Sequence, residues 1–141
     1  MIETVRINAP RSYPPRVSKF TQTFWSALGE GRWTTTQCAA CEKLTFPPKA
    51  ICPHCWGTEV RWVDLSTRGT IYSRTRIHAA PAVFAHEAPY SVGIVDLDCG
   101  IRLACKLLDP DGGEARIGSH VEIVRLQYDD GDFFAARPAP S

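Results

Sequence analysis

Two Cys-x-x-Cys pairs, Cys38-Ala-Ala-Cys41 and Cys52-Pro-His-Cys55, stand ten residues apart and limit what this chain can fold into more than any other feature. A two-residue gap lets both sulfurs of a knuckle turn toward one ion, and two knuckles complete a tetrahedron. Four thiolates leave no open position for water, so the expected ion is structural zinc held by Cys38, Cys41, Cys52 and Cys55. Iron in a rubredoxin-like site is the competing identity. His54, inside the second knuckle, is expected to face solvent because the sulfurs already fill the shell. Zinc with four thiolates is a net anion, and Arg32, Lys43 and Lys49 lie near enough in sequence to offset it. The segment from Gln37 to Trp62 also holds Pro47, Pro48 and Pro53 and has little apolar surface, so metal is expected to supply its missing stability.

With 141 residues there is room for one ordinary domain, or for a small module joined to a compact one. Hydrophobic residues at 44% against 22% charged are enough for a packed core. Cysteines spent on a metal suit a reducing compartment. No run approaches the length needed to span a bilayer, and the N-terminus lacks the order of a secretory signal. The expectation is a cytoplasmic protein with no membrane contact. A formal charge of +1, from 16 basic and 15 acidic residues without a run of either sign, gives no push toward nucleic acid.

Residues before Ser18, with Pro10, Pro14 and Pro15, have no steady period and read as an extended arm. From a Ser18 N-cap, Phe20, Phe24, Trp25 and Leu28 recur at helical spacing, and Gly29 and Gly31 supply a stop. This predicts one short amphipathic helix. After Gly69 the runs TIYSRTRI, PYSVGIVDLD, IRLACKLL and SHVEIVRL predict four strands, with Phe133 to Ala136 adding a fifth. Asp98-Cys99-Gly100 forms the turn of a hairpin whose buried face carries Ile101, Leu103, Cys105 and Leu107. Five short strands without βαβ spacing fit a small barrel such as an OB-fold, though other small barrels share the pattern. The reading is a mainly β chain divided into an arm and helix (1–36), a rubredoxin-like zinc ribbon (37–64) and an OB-fold barrel (65–141).

Several of these elements, in this order, resemble the zinc-ribbon and OB-fold proteins associated with acyl-CoA enzymes. The resemblance rests on Phe24-Trp25 and Leu28, the paired Cys-x-x-Cys, Phe46-Pro47-Pro48, and Trp62 followed by Thr67-Arg68-Gly69-Thr70-Ile71-Tyr72-Ser73. It continues through Ala88-Pro89-Tyr90, Gly100-Ile101-Arg102-Leu103, Ile117-Gly118 and Val121-Glu122-Ile123. One departure is Glu42, where the first knuckle of such proteins usually has glycine, a change that would strain the backbone there. The resemblance implies a small non-catalytic subunit of a thiolase-like enzyme. The partner would supply the nucleophilic cysteine and acid–base groups, and a coenzyme A thioester would be the substrate of the complex, bound at or near the shared interface.

No catalytic residue is assigned to this chain. Cys99 and Cys105 have no activating base or oxyanion site nearby in sequence and read as exposed and buried thiols respectively. His78, His86 and Glu87 read as a solvated loop rather than an acid–base pair. Arg74 and Arg76 alternate with Tyr72, and an OB-fold could present them to phosphates, though a solvated strand face is the plainer expectation. The alternative function is therefore a nucleic-acid-binding zinc-ribbon and OB-fold protein, and a free-standing enzyme is the third class. Phe20, Phe24, Trp25 and Leu28 either pack on this chain's own ribbon or wait for the partner.

Overall fold

The computed structural model describes residues 2–110 and 113–139. The chain begins with β1 (Glu3–Arg6) and an arm leading to α1 (Gln22–Gly29). A three-stranded ribbon follows, built from β2 (Thr34–Cys38), β3 (Leu44–Thr45) and β4 (Val60–Asp64) in the order β3-β2-β4. The rest is β5 (Arg68–Ile77), a 3-10 turn (Ala82–Glu87), β6 (Tyr90–Leu97), β7 (Arg102–Leu107), β8 (His120–Tyr128) and β9 (Gly131–Pro138).

The last five strands close on themselves. Antiparallel pairs join β5 to β6, β6 to β7, β8 to β9 and β5 to β8, while β7 and β9 run parallel. This is the five-stranded OB barrel expected from the alternating runs. Along β6, Ser91, Gly93, Val95 and Leu97 are buried while their neighbours are half-buried, the period of two that sets one face inward. Gly69 is required where β5 crosses β6, since an added Cβ would lie 2.3 Å from the Asp96 carbonyl oxygen. Register slips once between Ile71 and Ser73, leaving Tyr72 outside the ladder, where the Arg102 guanidinium lies 3.6 Å from its ring centre.

The helix starts later than the Ser18 cap predicted. Ser18 and Thr21 instead close a reciprocal box, the Ser18 N–H donating to Thr21 Oγ1 at 2.8 Å and the Thr21 N–H to Ser18 Oγ at 3.1 Å. Thr21 then becomes the cap residue. At the other end Gly31, at φ +83°, completes a Schellman motif: Gly31 N–H reaches Leu28 O at 3.0 Å and Arg32 N–H reaches Ala27 O at 2.8 Å.

The apolar stripe turns inward. Phe24 and Leu28 are buried, and Phe24 meets the rings of Trp33, Phe46 and Phe134 at centroid separations of 5.8, 5.8 and 6.2 Å. One residue on the helix thus contacts the ribbon and the barrel together. Phe20 rests on Trp62 of β4, and half-buried Trp25 leans on Phe133. The ribbon has more apolar support than its composition suggested, from this cluster and from Thr34, Thr35 and Thr36, all buried in β2.

The N-terminal arm is more than an extended lead. Its β1 pairs in parallel with β8, from Glu3 opposite Val124 to Arg6 opposite Gln127. Arg11 then clamps the β8–β9 turn, its guanidinium donating to Asp130 O at 3.0 Å and Asp132 O at 3.2 Å and its backbone N–H to Asp130 Oδ1 at 2.8 Å. Gly131 makes room for that stack, because a Cβ there would sit 2.6 Å from the guanidinium carbon. No helix among the described residues is long and apolar enough to cross a membrane.

Candidate metal centre

The four knuckle sulfurs come together at one end of the ribbon, all within 4.8 Å of one another. Cys38 and Cys55 are 3.5 Å apart and Cys41 and Cys52 3.6 Å apart. A tetrahedral ion with metal–sulfur bonds of about 2.3 Å needs edges of about 3.8 Å, so the set fits with small adjustment.

The two knuckles repeat one design. In each, the N–H of the residue after the second cysteine donates to the carbonyl of the first, Glu42 to Cys38 and Trp56 to Cys52, both at 2.9 Å. In each, the first cysteine's N–H reaches two residues beyond the second, Cys38 to Lys43 O at 3.0 Å and Cys52 to Gly57 O at 2.9 Å. That closure places Glu42 and Trp56 in the left-handed region, at φ +63° and +64°. The strain expected at Glu42 is present, and Trp56 repeats it. Gly57 clears space for the sulfurs, as a Cβ there would meet Cys38 Sγ at 3.2 Å and Cys55 Sγ at 3.3 Å.

Backbone dipoles prepare the sulfurs for charge. The Cys41 N–H points to Cys38 Sγ at 3.5 Å and the His54 N–H to Cys52 Sγ at 3.4 Å. The Cys41 N–H is the main reason the Cys38 thiol falls to about 6, with the Ala40 N–H and neighbouring thiols assisting against burial. At Cys55 the Gly57 N–H favours the thiolate, yet the surrounding sulfurs of Cys38, Cys41 and Cys52, together with burial, push it up to about 12. Four like charges so close cannot coexist unaided, so this donor set fits a central divalent cation. Zinc there would be fully ligated and would supply structural cross-linking.

Among the described residues, no side chain of Arg32, Lys43 or Lys49 hydrogen-bonds to a knuckle sulfur. Arg32 turns to Glu30 at 3.1 Å, and Lys49 contributes its backbone N–H to Thr36 Oγ1 at 3.1 Å. His54 is exposed, as expected for a residue that gives its N–H rather than its ring.

The other singled-out residues fall elsewhere. Cys99 is exposed in its turn, and Cys105 is held near 12 chiefly by burial, the reverse of what a nucleophile needs. Arg74 and Arg76 do not form the solvated cationic face that their alternation suggested. Arg74 pairs with Glu114 at 2.8 Å, Arg76 with Asp109 at 2.9 Å, and the buried Ser91 hydroxyl donates to Asp109 at 2.6 Å. Nor is the loop before β6 simply solvated. Glu87 is half-buried, with Lys106 Nζ at 2.6 Å and the Ser12 hydroxyl bound to its other oxygen. Burial alone would raise the Glu87 carboxyl, but these partners hold it below its ordinary value. Ser12 and Lys106 carried no motif, because only the fold brings the arm to this loop.

Comparison with known proteins gives a consistent result. The rubredoxin-like zinc ribbon domain of ChsH2 matches residues 25–61, and the C-terminal OB-fold domain of ChsH2 matches residues 62–126. A DUF35 domain-containing scaffold protein of Methanocaldococcus jannaschii is 36% identical over 98 residues, 68% of this chain and 70% of that protein. The benzoylsuccinyl-CoA thiolase subunit BbsA of Thauera aromatica is 36% identical over 113 residues, 78% of this chain and 76% of that one. Among solved structures, a chain of the Ltp2-ChsH2(DUF35) aldolase superposes with a TM-score of 0.78 at 30% identity, covering 90% of this chain and all of that one.

Proposed function

The chain belongs to the ChsH2 zinc-ribbon and OB-fold family, and from that membership we propose that it is a non-catalytic accessory subunit of a thiolase-like acyl-CoA enzyme. The observation that carries the proposal is the match to the Ltp2-ChsH2(DUF35) aldolase chain, which extends over that chain's whole length. The similarity to a thiolase subunit over three-quarters of each protein supports the same class.

In this reading the partner supplies nucleophile, acid and base, and the present chain buttresses it and helps shape the acyl-CoA channel. A buttress must be stiff, and the aromatic cluster around Phe24 ties ribbon, helix and barrel into one packed unit. Zinc on Cys38, Cys41, Cys52 and Cys55 would add the cross-link that fixes the ribbon tip. With Phe24 and Leu28 turned inward, the partner contact moves from the helix stripe to that tip. Trp56 is 78% exposed and Ile51 52% exposed, large apolar side chains that the chain's own core leaves largely uncovered.

Purification of the tagged chain from its native host, followed by mass spectrometry, tests the proposal. A thiolase-like protein should co-purify in stoichiometric amount. Recovery of nucleic acid without an acyl-CoA enzyme would overturn the reading in favour of the alternative, against which the pairing of Arg74 and Arg76 already counts.

A further inference from the structure

A concavity lies where the N-terminal arm and the 3-10 turn meet the barrel. It is partly open to solvent and has a volume of about 300 Å³, room for about ten water-sized groups. Tyr13 of the arm, Phe84 of the 3-10 turn, Tyr90, Tyr128 and Phe133 supply its walls, with Val92 among them. Tyr13 and Phe84 lie 6.4 Å apart and Phe84 and Tyr90 6.1 Å apart, so the rings form a continuous wall from arm to strand.

Its charged groups already have partners. Lys106 is bound to Glu87, and Arg11 to Asp130 and the turn carbonyls. The cavity therefore offers aromatic faces and no free charge, which selects against an ionised ligand. The arm is also held over it by polar ties that span more than seventy residues, Ser12 to His86 and Glu87 and Arg11 to the β8–β9 turn. Such ties hold an element in place without filling the space beneath it.

We propose that this cavity is a binding site for a neutral, flat apolar group of about ten heavy atoms, an aryl or short acyl group, with the N-terminal arm as its lid. The site is complete within this chain and does not depend on the partner assignment above.

The test is an NMR titration of the zinc-loaded full chain with methyl benzoate as neutral probe and benzoate as its charged counterpart. Methyl benzoate should shift Phe84, Tyr90, Val92 and Lys106 saturably with a Kd of about 1 mM or tighter, and benzoate should bind at least about tenfold more weakly. Val92→Phe, which fills the space, should abolish the shifts, and Phe84→Ala, on the half-exposed turn, should weaken binding while leaving the barrel folded. Absence of saturable shifts at these residues in the folded wild-type chain, equal binding of the charged probe, or unchanged binding by Phe84→Ala would each overturn the proposal.

Discussion

Replacing Glu42 by glycine should make the protein more stable, although it removes a side chain and adds backbone freedom. At φ +63° the Cβ of an L-residue crowds the following carbonyl, which costs about 1–2 kcal/mol relative to an unstrained residue. Glycine escapes that penalty but gains entropy in the unfolded chain worth about 0.4–1 kcal/mol. Taken at the middle of both ranges, the net gain is about 0.8 kcal/mol. Nothing offsets it, because Glu42 is exposed and its only bonds are through the backbone: its N–H to Cys38 O, and its carbonyl receiving Gln37 Nε2 at 2.8 Å. In a chain of this size the Tm should rise by about 2–3 °C in circular dichroism melts of zinc-loaded protein. Where metal binding and knuckle closure are coupled, competition with a chromophoric chelator should show about two- to fivefold tighter zinc. Glu42→Ala is the control, since it deletes the same carboxylate and keeps the strain. A Glu42→Gly protein no more stable than Glu42→Ala would refute the argument that the knuckle stores backbone strain.

Three further outcomes follow from the same geometry. Phe24→Ala should lower stability by about 3–5 kcal/mol in urea titrations and loosen the ribbon from the barrel, seen in hydrogen exchange as loss of protection at the Leu65 amide, which donates to Trp33 O at 2.8 Å; unchanged exchange there would show that metal alone holds the ribbon. In zinc-loaded protein a thiol reagent should find one fast cysteine, Cys99, with the four ribbon thiols released by chelation and Cys105 remaining slow; fast reaction at Cys105 would contradict its burial. Asp109→Asn should cost about 2 kcal/mol at pH 7, because it removes the charge that pairs with Arg76 and leaves one acceptor oxygen where two serve Arg76 and Ser91 on one side and the Ala115 N–H on the other. Burial raises the Asp109 carboxyl, but Ser91, the Ala115 N–H and the two arginines hold it below its ordinary value in the folded state. Its contribution is therefore present above the unfolded value near 4 and fades as pH falls through the lower folded one, so the gap between wild type and variant should close in acid. A gap that widened below pH 4 would contradict that sign.

Much of this architecture could be read before any coordinates, for reasons specific to particular residues. The doubled Cys-x-x-Cys declares a tetrahedral donor set because the knuckle is a local structure, closed by hydrogen bonds between residues a few positions apart. The barrel strands announced themselves through runs such as SVGIVDL, where one buried face imposes a period of two. What stayed hidden is what depends on distant pairing. Glu3 to Arg6 is four residues with no apolar alternation, so its parallel ladder with β8 has no local signature. Arg74 and Arg76 looked solvated because Asp109 and Glu114, more than thirty positions away, return only when the strands close. The arm-covered cavity is likewise assembled from the chain's start, middle and end. Trp56 could have been suspected from the repeat of the two knuckles, since both must turn at the same step.

The central claim is that this chain works as part of a larger acyl-CoA enzyme, and reconstitution tests it most directly. Zinc-loaded chain should be mixed with the thiolase-like protein recovered from its host and analysed by size-exclusion chromatography with light scattering, alongside the turnover of each component and of the mixture. The account predicts one co-eluting hetero-oligomer, turnover that needs both chains, and dissociation by Trp56→Ala without a fall in this chain's own Tm. Separate elution, with the partner fully active alone, would contradict it.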